Sequence, residues 1–126
     1  MKLHSLVGGS TEVVGPETTV EQAAQVMRSE TVGALVVIDR HAVVGIFTEF
    51  DVVKAVAEGV DPQDATVAEW MSEAPDTFPP DVEVGEAVTW LMETGYRHLP
   101  IVGDGELLGV VSVRDLLWAV HQSTGD

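Results

Sequence analysis

The sequence contains no cysteine, and only six of its 126 residues are lysine or arginine. The absence of cysteine excludes a disulfide framework and thiolate chemistry. Against 21 acidic residues and a formal charge of −15, the few basic residues make nucleic acids and anionic membranes poor partners, because phosphates require clustered cations. No apolar run approaches the ~18 residues of a membrane span, and Met1–Ser5 does not lead into a signal-peptide core. These absences predict a soluble, cytoplasmic protein.

The usual patterns of catalytic and metal sites are also missing from the sequence. It contains no Gly-rich phosphate loop and no recognised nucleophile motif, and no acid–base pair stands out. The four histidines, at positions 4, 41, 98 and 121, lack metal-ligand spacing. We therefore predict no catalytic residue, no metal site and no obligatory cofactor. A cryptic nucleotide hydrolase is the enzymatic alternative, and it would reveal itself by product formation.

What the sequence does contain is an internal repeat. The run from Gly45 to Asp51 returns as Gly109 to Asp115, displaced by 64 residues without a gap. Eight identities fall in this register: Pro16/Pro80, Val20/Val84, Ala23/Ala87, Leu35/Leu99, Gly45/Gly109, Asp51/Asp115, Ala55/Ala119 and Val56/Val120. We divide the chain into repeats at 1–62 and 63–126. Because about 60 residues form a marginal core, we expect the repeats to bury their apolar faces against each other.

Each repeat has the same predicted order of elements, β-α-β-β-α. Val20, Ala23 and Met27 recur with helical spacing, and the β-branched runs on either side of a polar turn predict a hairpin. The Asp104-Gly105 pair gives the stronger of the two hairpin predictions. The predicted helices are 19–28, 49–58, 66–71, 83–93 and 113–121, with 2–7 as the repeat-mate of 66–71. The predicted strands are 12–14, 34–38, 43–47, 77–78, 99–102 and 107–111. The predicted fold class is α+β, with two pseudo-symmetric units.

Thr48-x-x-Asp51 and Ser112-x-x-Asp115 stand where a strand ends and a helix begins. One interpretation is a capping box, in which the hydroxyl accepts a backbone N–H and the carboxylate accepts the N–H of the cap residue. The other is a nucleotide site. A helix N-terminus attracts anions, and a carboxylate one turn further along accepts ribose hydroxyls. Both roles are compatible with the same residues.

These two motifs, together with Tyr96–Val102 and the helices that follow a proline, resemble a tandem pair of CBS domains, or Bateman module. The resemblance covers about residues 3–121, and the chain is similar to small stand-alone bacterial CBS proteins. It implies two repeats packed sheet to sheet, with two clefts that bind adenosine-containing ligands such as AMP, ADP, ATP or S-adenosylmethionine. It also implies a homodimer formed through helices. The apolar residues suited to that contact are Val52, Val53, Val56, Leu116, Leu117 and Val120.

The resemblance also assigns roles to residues. Asp51 and Asp115 are expected to hold ribose hydroxyls, and Thr48 and Ser112 to contact phosphate. The remaining expected ligand-binding residues are the basic pair Arg97 and His98, which would face phosphate, and Val13, Ala34, Phe78 and Pro100, which would flank adenine.

The two predicted sites differ in local charge. The first repeat has Gly33-Ala34 where the second has Arg97-His98, and phosphate binding depends on charge-assisted donors. We therefore expect the Asp115 site to bind more tightly and the Asp51 site to be weak or empty, with AMP favoured over ATP. The predicted function is a non-enzymatic regulatory module for adenine nucleotides. The alternative is a ligand-free structural or interaction module in which both aspartates only cap helices.

Overall fold

The computed structural model describes residues 1–7, 11–73 and 76–124. Its elements are a 3₁₀ turn at Leu3–Ser5, then β1 (Val13–Val14), α1 (Val20–Glu30), β2 (Ala34–Asp39), β3 (Ala42–Thr48), α2 (Glu49–Ala57), α3 (Val67–Trp70), β4 (Ser72–Glu73), α4 (Val84–Thr94), β5 (His98–Gly103), β6 (Glu106–Ser112) and α5 (Val113–Thr124). The α+β class and its two repeats are confirmed. The leading strand of the second repeat is reduced to a parallel bridge between Phe78 and Ile101, and β4 was not predicted. In the described part of the chain, no helix is both long and apolar enough to cross a bilayer.

Both repeats contain the predicted hairpin, closed by a two-residue turn. Arg40 and His41 have φ of 51° and 71°, and Asp104 and Gly105 have φ of 53° and 77°. Two successive positive φ angles are characteristic of a type I′ turn, whose twist matches that of the flanking strands. The Asp-Gly pair predicts this geometry directly. In the first repeat, two residues with side chains adopt the same left-handed conformation.

The hairpin register places the candidate site residues opposite one another. β2 pairs antiparallel with β3 and β5 with β6, so that Ala34 lies opposite Thr48 and His98 lies opposite Ser112. Each hairpin has one register shift, and the two shifts occupy equivalent positions in the repeat. In each hairpin, the last residue of the second strand therefore lies at the equivalent position, immediately before a helix.

Gly45 is required where β3 meets β4. A Cβ atom added to Gly45 would overlap the Met71 sulfur and lie 2.9 Å from the Ser72 carbonyl oxygen. The Met71 side chain can move aside, but the Ser72 carbonyl belongs to the backbone beside β3. We expect Gly45→Ala to lower the free energy of unfolding by about 1–3 kcal/mol, measured by urea denaturation.

Gly15→Ala is the matched control for this prediction. Among the described residues, no atom other than those of Gly15 and its two chain neighbours lies within 4 Å of the corresponding Cβ position, so its effect is expected to stay within about 0.5 kcal/mol. Equal stability of the two variants would contradict the proposed steric role of Gly45.

The chain forms two compact units that do not coincide with the two sequence repeats. One unit contains Thr11–Pro75, and the other contains Met1–Ser10 together with Asp76–Asp126. The segment 63–73, at the start of the second repeat, therefore packs within the unit of the first repeat, and the N-terminal segment packs within the unit of the second. We call these the contiguous unit (Thr11–Pro75) and the split unit (Met1–Ser10 with Asp76–Asp126).

Equivalent backbone hydrogen bonds attach the two exchanged segments. In the contiguous unit, Val67 N–H donates to the Thr18 carbonyl at 2.8 Å. In the split unit, Leu3 N–H donates to the Val82 carbonyl at 2.9 Å. Both Leu3 and Val67 are fully buried. Leu3 therefore occupies in the split unit the place that Val67 occupies in the contiguous unit.

Each unit has its own apolar core, built from repeat-equivalent positions. Helix and strand residues meet in each, as the apolar periodicity of the sequence predicted. The buried core of the contiguous unit contains Val20, Ala23, Met27, Leu35, Val37, Phe47, Ala55, Ala65 and Val67. That of the split unit contains Leu3, Val84, Ala87, Leu91, Leu99, Ile101, Val111, Leu116 and Ala119. These cores fix the hairpin and the following helix of each unit, and thereby the strand–helix junction where the candidate site residues lie.

Candidate functional site

The junction between β6 and α5 is a capping box. Oδ2 of Asp115 accepts a hydrogen bond from the Ser112 amide at 2.8 Å, and Oγ of Ser112 accepts one from the Asp115 amide at 3.1 Å. The structural interpretation of this motif is therefore confirmed. The capping hydrogen bonds leave part of each side chain available. The Ser112 hydroxyl accepts a hydrogen bond in the capping box and can still donate its own proton. In addition, no hydrogen bond to Oδ1 of Asp115 occurs within residues 1–7, 11–73 and 76–124.

The equivalent junction between β3 and α2 uses its carboxylate more completely. Oδ2 of Asp51 accepts from the Thr48 amide at 2.8 Å and from the Thr48 hydroxyl at 3.3 Å. Oδ1 of Asp51 lies 3.7 Å from Nζ of Lys54, which also lies over the Phe50 ring. Both carboxylate oxygens of Asp51 thus have protein partners.

Burial also separates the two aspartates. Asp51 is 4% exposed, whereas Asp115 is only half-buried. A ligand hydroxyl that approaches Oδ1 of Asp51 shares that oxygen with Lys54, although such a half-exposed pair stabilises the fold by only about 1 kcal/mol or less. Asp115 is therefore the better placed of the two to accept a hydroxyl from outside.

The basic pair of the second repeat lies beside this junction. Val113 N–H, at the start of α5, donates to the Arg97 carbonyl at 3.0 Å, which fixes the Arg97 backbone next to the helix N-terminus. The Arg97 side chain is exposed, and His98 is half-buried opposite Ser112. The structure thus brings Arg97, His98, Ser112 and Asp115 together.

The same backbone contact occurs in the first repeat with different side chains. Glu49 N–H donates to the Gly33 carbonyl, also at 3.0 Å. The Glu49 carboxylate lies over Gly33, because a Cβ added to Gly33 would be 3.4 Å from Oε1 of Glu49. Where the second repeat has an arginine, the first therefore has a carboxylate. Glu49 was not among the site residues predicted from the sequence, although the repeat register already aligned it with Val113.

The residues expected to flank adenine lie on or beside the hairpins that end at these junctions. Val13 is half-exposed and pairs with β2, and Ala34 lies directly opposite Thr48. The Phe78 amide donates to the Pro100 carbonyl at 3.0 Å, and Pro100 itself is fully buried. Each set of candidate residues therefore surrounds the hairpin of its own unit.

Phe78 belongs to an aromatic cluster found only in the second repeat. Its ring packs edge-on against Trp90 with centroids 5.2 Å apart, and Trp90 lies 5.4 Å from Tyr96. The repeat-equivalent residues are valine in each case. Trp90 also packs against the apolar core, while Tyr96 is 52% exposed. The cluster supports the loop that carries Arg97.

Metal-ligating side chains do not come together in threes within residues 1–7, 11–73 and 76–124. The chemistry available at both junctions is therefore hydrogen bonding and charge: a hydroxyl, a carboxylate and helix N-terminal amides, with Arg97 added at the second.

Comparison with known proteins identifies the family. A family model described as the CBS domain matches residues 10–58 and again 67–122. An uncharacterised 17.7 kDa protein of Acidianus ambivalens is 38% identical over 121 residues, which cover 94% of this chain and 73% of that protein. CBS domain-containing protein YhcV of Bacillus subtilis is 32% identical over 114 residues, which cover 90% of this chain and 79% of that protein, and an uncharacterised protein of Methanopyrus kandleri is 37% identical over 105 residues, which cover 81% of this chain and 54% of that protein.

Solved structures agree with the family match. A putative signal-transduction protein with CBS domains from Burkholderia ambifaria has a TM-score of 0.92 and 26% identity, covering 98% of this chain and 96% of that one. CBSX2 in complex with AMP has a TM-score of 0.85 and 24% identity, covering 98% of each chain. With both repeats matched and the fold shared along nearly its whole length, this chain belongs to the CBS-domain family and is a tandem CBS pair.

Proposed function

We propose that this chain is a non-enzymatic regulatory module that binds adenosine-containing ligands, with AMP, ADP and ATP as the principal class. The ligands bind in the clefts between the two CBS repeats. The second site, built around Asp115, binds more tightly than the first, built around Asp51. S-adenosylmethionine is a further candidate ligand.

The observation that carries this proposal is the state of the Asp115 carboxylate. Oδ2 is held by the Ser112 amide, which fixes the orientation of the side chain. Oδ1 is left to accept ribose hydroxyls, in the way that acidic residues do in dinucleotide sites. A carboxylate oriented in advance loses little conformational entropy when the ligand binds.

Three groups around Asp115 are suited to a phosphate. The N-terminus of α5 has a favourable dipole for anions, the Ser112 hydroxyl is a donor, and Arg97 provides a charged bidentate donor. AMP carries the smallest phosphate charge of the three nucleotides. In a chain with a formal charge of −15, it therefore meets the least repulsion. The AMP complex of the similarly folded CBSX2 supports the same ligand class.

Thermal unfolding with and without ligand tests the proposal. AMP, ADP, ATP, S-adenosylmethionine and NAD are each added at about 1 mM to the purified chain. A ligand present at ~100 times its dissociation constant stabilises the folded state by about 2.7 kcal/mol, which raises the midpoint clearly. We expect AMP to give the clearest rise. No rise with any of the five, at low and at high salt, would favour a ligand-free interaction module.

Ligand binding regulates a partner protein by shifting the population of conformations of this chain. A ligand that contacts both repeats favours one relative orientation of the two, and a partner protein or the second copy in a dimer recognises that orientation. The expected location of both proteins is the cytoplasm.

The proposed homodimer forms through exposed apolar helix residues. Among the six residues suggested by the sequence, Leu116 is buried in the core and Val52 packs against the other core, because each points inward from its helix. Val53, Val56, Leu117 and Val120 remain exposed, and Phe50 and Trp118 join them. A groove of about 200 Å³ between α4 and α5 adjoins the exposed apolar residues of α5. Such patches are typical of protein–protein contacts.

A further inference from the structure

We propose that Glu49 makes the first site select adenosyl ligands that lack a phosphate, with a neutral or positively charged 5′ substituent. This inference rests on the proposed function, because it assigns a ligand class to one of the two sites named there. It goes beyond a difference in affinity, since it predicts opposite preferences at the two sites.

The two repeats provide a comparison in which the backbone is constant. The first amide of α2 donates to the Gly33 carbonyl and the first amide of α5 donates to the Arg97 carbonyl, both at 3.0 Å. The side chains beside these two hydrogen bonds differ in the sign of their charge. The first repeat has Glu49 and no side chain at position 33, whereas the second has Val113 and Arg97.

Glu49 lies where a phosphate would otherwise be favoured. It occupies the first turn of α2, and its carboxylate extends over Gly33. An anion at a helix N-terminus is stabilised by the dipole and the free amides, and Glu49 already supplies that anion. A nucleotide phosphate placed there would meet a like charge a few ångströms away.

The remainder of the first site does not compensate for this repulsion. Ala34, unlike His98, carries no donor, and Lys54 is directed at Asp51, from which its Nζ lies 3.7 Å. A neutral nucleoside avoids the repulsion, and a cationic substituent is attracted by Glu49. A nucleotide, a neutral nucleoside and a nucleoside with a cationic substituent all offer the same ribose to Asp51. Their relative affinities for the first site therefore depend on the charge of the 5′ substituent.

Asp115→Ala isolates the first site for a test. Dissociation constants for adenosine and AMP are measured by calorimetry in this background, alone and combined with Glu49→Gln. We expect adenosine to bind at least about tenfold more tightly than AMP to Asp115→Ala, and Glu49→Gln to remove most of that difference. Adding Gly33→Arg with Glu49→Val, which copies the second repeat, is expected to reverse the preference.

Controls separate a local effect from a general change in charge. Glu21→Gln removes a first-turn carboxylate from α1 in the same unit and is expected to leave the ratio of the two constants unchanged. Raising the salt concentration from roughly 0.05 to 0.5 M is expected to bring the dissociation constants of AMP and adenosine closer together in Asp115→Ala, because salt screens the repulsion between Glu49 and the phosphate. The same change is not expected when Glu49→Gln is combined with Asp115→Ala.

The outcomes distinguish this inference from the function on which it rests. Equal binding of AMP and adenosine to Asp115→Ala, unchanged by Glu49→Gln, would overturn the role of Glu49. AMP binding to the unmodified chain, with neither ligand bound by Asp115→Ala, would also overturn it and leave the nucleotide module standing. Absence of binding to the unmodified chain and to every variant would overturn the proposed function itself.

Discussion

Asp115→Ala is expected to abolish the AMP-induced rise in unfolding temperature, whereas Asp51→Ala is expected to preserve most of it. The loss amounts to up to about 2.7 kcal/mol at an AMP concentration of ~100 times the dissociation constant. The reason is the available oxygen: Oδ1 of Asp115 can accept ribose hydroxyls, while Oδ1 of Asp51 lies 3.7 Å from Lys54 in a nearly buried position. Thermal unfolding of both variants with and without AMP measures this directly.

The two variants are controls for each other. Each removes the carboxylate of a capping motif, so each is expected to lower the stability of the ligand-free protein by about 1 kcal/mol. The difference between them is therefore in the response to ligand. Retention of the AMP response in Asp115→Ala, or its equal loss in both variants, would contradict the assignment of the tighter site.

Leu3→Ala is expected to lower the free energy of unfolding by about 2–5 kcal/mol. Leu3 is fully buried in the core of the split unit, although it lies 81 residues before Val84, its partner in the same core. Truncation leaves a cavity among rigid neighbours, which include Ala87 and Leu99. Urea denaturation monitored by tryptophan fluorescence is suitable, because Trp90 packs against this core.

His4→Ala is the natural control for Leu3→Ala. His4 is exposed, and its amide, which the substitution retains, donates to the Pro80 carbonyl. We expect its effect to remain within about 0.5 kcal/mol. A similarly small effect of Leu3→Ala would mean that the N-terminal segment does not contribute to the core of the split unit.

Much of the local structure could be predicted because each element is encoded nearby in the sequence. The helical spacing of Val20, Ala23 and Met27 predicted α1, and the turn chemistry of Asp104 and Gly105 predicted the second hairpin. The internal repeat then allowed each prediction to be made twice. Helix ends differed by a few residues, as at α5, which continues to Thr124.

The rest depends on contacts between residues far apart in the sequence. No local pattern shows that Leu3 completes a core whose other members begin at Val84. The position of the Glu49 carboxylate over Gly33 likewise follows from the way α2 leaves the hairpin. The Asp51–Lys54 pair was accessible from its helical spacing, but the burial that gives the pair its significance was not.

The exchange of leading segments also determines the order in which the two units can fold during synthesis. Domains fold as units when their residues have emerged during synthesis. The contiguous unit is complete once residue 75 has been made, whereas the split unit must wait for residues 76–124. Leu3, which is synthesised before the contiguous unit, acquires its buried neighbours only after that unit has been made. A nascent chain stalled after residue 75 therefore presents one finished unit, while Leu3 still lacks the residues of its own core.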